Sequence, residues 1–184
     1  MLMRSEASFE LAVRLRGPGL PLAQAFSFMS GLYFRGKDAY ARAFADPPVG
    51  AEPAFVITPT RGLVPLDTVV TREYLCSFAD VPIDVGEPRY RAPLEHTARA
   101  LRAAIDDDVT VVLLGSIASD KYVTILLDIF GDRLLFPVDF VGRGDMSRGG
   151  LLLRCADAGE ELAYVPVRGA SRRGARPPRL SPRR

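Results

Sequence analysis

Residues 140–150, FVGRGDMSRGG, gather the side chains best suited to chemistry. Arg143, Asp145 and Arg148 alternate there with Gly142, Gly144, Gly149 and Gly150. Glycines let a backbone approach a ligand closely, and two arginines can hold a phosphate or carboxylate bidentately. The same residues also fit an Arg-Asp-Arg ion-pair cluster that pins a long loop. Asp139 and Asp145 are the carboxylates placed for general acid or base work, although Asp139 equally suits an acceptor of backbone N–H groups. Ser147 and, from another loop, Ser116 supply hydrogen-bonding hydroxyls.

Three other stretches could join that loop. Residues 58–62 hold Thr58, Thr60 and Arg61 beside Gly62, a set that also reads as a plain turn. Residues 115–119, Gly-Ser-Ile-Ala-Ser, precede an apolar helical pattern, with Lys121 just beyond. A helix N-terminus binds phosphate or carboxylate through its backbone N–H groups, and Gly115 and Ser116 would face such a ligand. They serve equally as an ordinary N-cap, since neither a P-loop ending nor a GxGxxG is present. Tyr33, Arg35, Lys37 and Tyr40 interleave aromatic with basic residues, which can stack a base and hold its phosphate. The alternative is a pair of core tyrosines with polar tips.

The elements that must position these residues follow from periodicity. Residues 109–114 are a near-continuous apolar run, as a strand covered on both faces requires. Ala118, Tyr122, Ile125, Leu126, Ile129 and Phe130 recur at helical spacing, Gly131 is placed to stop the helix, and residues 133–136 begin another strand. This is a βαβ unit, and open parallel sheets bind ligands at the carboxyl ends of their strands. Further strands are expected at 8–16, where Phe9, Leu11, Val13 and Leu15 alternate, and at 54–58. Residues 151–155 and 162–167 suggest a closing hairpin. Helices are expected after Pro21, over 38–45, after an N-cap at Thr71, and around Leu94, Ala98, Leu101 and Ile105. The expected architecture is α/β: a three-layer α/β/α sandwich with a mostly parallel sheet and a C-terminal antiparallel hairpin. Residues 1–167 would form its single domain.

Composition sets the remaining limits. The chain has 184 residues, enough for a core without staples. Its run lengths fall short of the ~18 apolar residues of a membrane span, so no membrane partner is expected. His96 is the only histidine, which excludes a triad or zinc site built on any other, and it reads as structural. Cys76 and Cys155 stand apart with no CxxC, as reduced cysteines of a cytoplasmic protein would. The acids 106–108 should face solvent at a turn, and neither a metal nor a cofactor is expected. Seven of the 24 basic residues are arginines at or beyond position 168, which leaves 17 against 22 acids, a body of net charge −5. Residues 168–184 read as a basic, disordered tail that could touch nucleic acid weakly or act as a solubilising terminus.

Leu32-Tyr33 followed by Tyr40-Ala41, then Arg-Gly-Leu-Val-Pro at 61–65, VVLLGSIAS and RLLFP resemble a group of uncharacterised small bacterial α/β domains over roughly residues 31–150. More distantly, the Leu-Leu-Gly-x-x-Ala element with its following strand and polar loop resembles the uracil-DNA glycosylase-like fold. That fold's last loop carries His-Pro-Ser where this chain has Phe136-Pro137-Val138, and its first-motif acid has no counterpart here. The expected function is binding of a nucleotide, or another phosphate-bearing component of nucleic acid, at the carboxyl edge of the sheet. Hydrolytic or glycosidic chemistry could accompany it. The alternative is a non-catalytic protein-interaction module using the basic loop and the tail.

Overall fold

The computed structural model describes residues 2–4, 6–178 and 180. Spacing of three and four, rather than alternation, decides the N-terminal segment. Glu10–Arg16 is a helix (α1) that buries Ala12 and Leu15 and leaves Val13 exposed, so the strand expected at 8–16 does not form. Leu11 and Leu15 are as much a helical i, i+4 pair as members of an alternating row. Gly17 ends the helix by donating its N–H to the Val13 and Arg14 carbonyls. The short strand Leu20–Pro21 (β1) leads into Leu22–Phe44 (α2), in which the two helices expected from sequence are joined across Gly31. Gly31 has φ 64°, a left-handed value that bends the helix where a side chain would be strained.

Phe55–Thr58 (β2) and Gly62–Pro65 (β3) form an antiparallel hairpin, with Thr58 opposite Gly62. Gly62, at φ 64°, makes the turn. Residues 58–62 are therefore a hairpin tip and not the exit of a parallel strand. Val69–Val70 (β4) pairs antiparallel with β1. Thr71 caps Arg72–Cys76 (α3) as expected, its hydroxyl accepting the Tyr74 N–H. Pro88–Ala104 (α4) follows, burying Tyr90, Leu94 and Ala98 on one face.

The βαβ unit is present in short form. Val111–Val112 (β5), Asp120–Phe130 (α5) and Leu134–Pro137 (β6) bring β5 and β6 together in parallel, and Gly131 stops α5. The second half of the polar loop and the first strand of the expected hairpin are instead one helix, Asp145–Ala158 (α6), closed by Gly159 in the left-handed conformation. Tyr164–Pro166 (β7) then pairs antiparallel with β6. Gly149 belongs to close helix packing. A Cβ on Gly36 would lie 2.6 Å from its carbonyl oxygen, and a Cβ on Gly149 would lie 2.7 Å from that of Leu32.

The expected three-layer sandwich with a mostly parallel sheet is thus overturned. Three small sheets form, of two, two and three strands, and β5–β6 is their one parallel pairing among the described residues. Two apolar clusters hold them. One gathers Leu15, Leu20, Leu22, Val56, Val64 and Val70 around the first half of α2. The other gathers Tyr40, Tyr90, Leu94, Phe136, Phe140 and Leu152 around α4, α5 and α6. Beyond β7, Arg168 pairs with Asp132 at 2.7 Å and Arg172 with Asp120 at 2.5 Å, while Gly174 sits against Val141. Of the residues read as a basic tail, Arg179 and residues 181–184 lie outside the described residues.

Candidate functional site

Part of the sequence-derived site comes together where α2 crosses α6. Lys37 Nζ lies 4.1 Å from the centroid of the Tyr33 ring, a cation–π contact. Tyr33 Oη donates to the Leu114 carbonyl at 3.3 Å. Burial pushes the Tyr33 hydroxyl above the ordinary phenol range; the Arg148 guanidinium pulls the other way and the Asp145 carboxylate adds to the rise. Burial lowers Lys37 from 10.5 to about 8, against the attraction of Asp145 and with the repulsion of Arg148. Gly115 is a glycine for a steric reason, since a Cβ there would lie 2.8 Å from Tyr122 Oη.

The arginines counted for phosphate are engaged with their own main chain. Arg148 donates to the Phe140 carbonyl through Nε at 3.3 Å and Nη2 at 3.2 Å, and to Asp145 Oδ1 at 3.3 Å. Arg143 donates to the Asp139 carbonyl at 2.9 Å and to Ser147 Oγ at 3.3 Å. Of the three charged residues, Arg148 and Asp145 form an ion pair, and Arg143 is held by a main-chain carbonyl and a hydroxyl instead. The Asp139 side chain is exposed, and Gly144 is the exposed residue before α6. Ser116 is not a helix cap, because α5 starts at Asp120. Its hydroxyl accepts the Ala118 N–H at 3.3 Å, and its carbonyl accepts Tyr122 Oη at 2.7 Å.

Other members sit apart. Thr58 is fully buried and donates to the Gly62 carbonyl at 3.0 Å. Thr60 lies 3.4 Å from Ser77 Oγ, and Arg61 stacks on Tyr74 with its guanidinium 4.5 Å from the ring centroid. Arg35 and Lys121 are exposed.

What the structure builds instead is an elongated cleft of about 880 Å³ between β2 and β5, walled by α2 along its length and by residues of α4 and α5. None of residues 58–62 lines it, whereas Tyr33, Lys37, Gly115 and Asp145 do. Five of the six tyrosines also line it: Tyr33, Tyr40, Tyr90, Tyr122 and Tyr164. Tyr40 and Tyr164 share a 2.6 Å hydroxyl contact, Tyr164 donates to Glu161 at 2.7 Å, and Tyr40 accepts the Leu162 N–H at 2.8 Å. Tyr90 differs: it is fully buried, and its hydroxyl meets no partner among the described residues. Burial raises that hydroxyl to about 12, with Tyr122 adding to the rise. Sequence reading missed Tyr90, Tyr122 and Tyr164 because a core tyrosine and a cleft tyrosine carry the same apolar spacing.

Charge around the cleft is mainly acidic. Among the described residues Lys37 is the lone cation of its lining, against Asp38, Asp46, Glu52, Asp145 and Glu161. Asp38 pairs with Arg42, and Asp145 with Arg148. Asp46 and Glu52 are exposed and make no hydrogen bond or ion pair among the described residues. Among the described residues no cluster of His, Cys, Asp or Glu could hold a metal ion, and no helix there is long and apolar enough to cross a membrane. Comparisons with protein-family models, curated proteins and solved structures find no match to this chain.

Proposed function

We propose that this chain is a binding module whose ligand occupies the cleft between β2 and β5, and that this ligand is apolar and neutral or cationic rather than a nucleotide. The observation that carries the reading is the cleft itself, about 880 Å³ lined by five tyrosines and by charged groups that are mainly acidic. A large, mostly apolar concavity with a few polar groups is the ordinary form of a binding site. The acidic lining repels phosphate, and Arg143 and Arg148 are held by the Asp139 and Phe140 carbonyls.

Thermal-shift assays against nucleotides, aromatic amines and short peptides test it, alongside two kinds of variant. Ala41 lines the cleft from α2, so Ala41→Phe fills it. The expected result is stabilisation by an amine or peptide that Ala41→Phe abolishes, and none by nucleotides. Stabilisation by a nucleotide that survives Ala41→Phe and disappears in Arg143→Ala and Arg148→Ala would overturn the proposal in favour of the glycine-rich segment.

A further inference from the structure

The hydrogen-bond parity of the strands says which main-chain groups face the cleft. Leu66 N–H donates to the Ala54 carbonyl at 3.2 Å, so Ala54, Val56 and Thr58 turn their polar groups towards β3. The N–H and C=O of Phe55 and Ile57 point the other way, into the cleft. On the far side, Leu113 N–H donates to the Leu135 carbonyl at 2.8 Å, so Val111 and Leu113 face β6. Thr110, Val112 and Leu114 therefore face the cleft, and Tyr33 Oη on the Leu114 carbonyl agrees with this. Both long sides of the cleft are thus strand edges, and among the described residues Phe55, Ile57, Thr110 and Val112 have no main-chain partner across it.

α2 lines the cleft from Phe26 to Phe44. The cleft-facing edges run from Phe55 to Ile57 and from Thr110 to Leu114, so about five extended residues span the longer of them. The walls are apolar or aromatic, with Tyr40 and Phe44 from α2, Tyr90 and Leu101 from α4, and Ile105 just beyond it. A strand buried on both faces reads as a continuous apolar run. At the end where α2 stops, the unpaired carboxylates of Asp46 and Glu52 are placed for a cation.

We infer that the cleft takes an extended peptide segment of a partner chain as a strand between β2 and β5, a run of about five apolar residues ending in an arginine or lysine. This rests on the cleft being the binding site. Main-chain bonds to both edges supply affinity, and the carboxylates set the direction of entry. An elongated small molecule would fill the cleft but would leave the two edges unpaired.

Fluorescence anisotropy with labelled peptides of that pattern tests it on the intact chain. Each N-methylation at two successive central residues should weaken binding about tenfold, because neighbouring residues of an inserted strand bond to opposite edges. Asp46→Asn with Glu52→Gln should weaken the arginine peptide several-fold and leave its norleucine counterpart unchanged. Sensitivity at alternate positions only would mean pairing with one edge and would overturn insertion. Failure of every peptide while an aromatic amine binds and is displaced by Ala41→Phe would sink the inference but keep the cleft as the site. Peptide binding that survives Ala41→Phe would sink both.

Discussion

The strand edges of the β2–β3 and β5–β6–β7 sheets fall into two kinds. Those that face outward are closed: Leu63 of β3 donates its N–H to Thr97 Oγ1 at 2.8 Å, and Pro65 has no N–H to offer. On β7 the outward-facing pair is Tyr164 and Pro166, since Val167 N–H is committed to the Leu134 carbonyl, so one of its two donors is again missing. Proline belongs on such edges because it cannot template a further strand. The edges of β2 and β5 that flank the cleft keep every N–H, at Phe55, Ile57, Thr110 and Val112. In these two sheets protection is thus applied away from the cleft and withheld where two edges face each other, whereas on the separate β1–β4 pair the exposed Val69 keeps its outward N–H.

The largest effect should come from reopening a closed edge. Gly62 turns the β2–β3 hairpin at φ 64°, and a Cβ there would meet Thr97 Oγ1 and the Pro93 carbonyl of α4, the latter main chain that cannot yield. Gly62→Ala combines backbone strain with a clash and should cost about 3 kcal/mol or more, read as a drop in denaturant midpoint. A loss below about 1 kcal/mol would show that α4 does not lock this edge. A smaller loss is expected from Thr97→Val. The Thr97 hydroxyl accepts from Leu63 N–H and donates to the Pro93 carbonyl at 2.8 Å. Removing it strands one half-buried donor, worth about 1–2 kcal/mol. Amide exchange at Leu63 should accelerate while exchange at Val64 does not.

How far the sequence shows all this depends on how local each signal is. The Thr71 cap, the Gly131 stop and the β5–α5–β6 unit are set by residues within a few positions of one another, and each is readable. The strand expected at 8–16 fails because four alternating apolar residues also contain an i, i+4 pair, and Ala12 completes the helical face. The glycine-rich segment reads as a ligand loop because glycine marks both close ligand approach and close helix approach. Gly149 against Gly36 is the second kind, and the partner lies over a hundred positions away. The cleft is hidden for a stronger reason. Its edges are main chain, which has no residue signature, and the hydroxyl contact between Tyr40 and Tyr164 spans 124 positions.

The smallest expected effect concerns how dry the region between the two open edges is. Lys37 lines the cleft from the middle of α2, with its charge desolvated and its ordinary value of 10.5 lowered to about 8. Above pH 8 the folded chain has released this proton, whereas the unfolded chain holds it until about 10.5. Between those values the unfolded state binds more protons, so stability rises with pH through that window. Below about pH 8 both states are protonated and the cost of burying the charge is felt in full. Lys37→Met keeps the apolar stem and removes that cost, along with the cation–π contact to Tyr33, which offsets part of the gain. The variant should therefore be more stable than the parent by about 1 kcal/mol at pH 7, with the difference shrinking towards pH 10. Chemical denaturation of both proteins at pH 7 and pH 10 measures it, and other groups that titrate in this range cancel in the difference. A gap that stays constant with pH would mean that water reaches Lys37 freely. The inner edges would then be as wet as the outer ones, and the contrast between them would rest on proline placement alone.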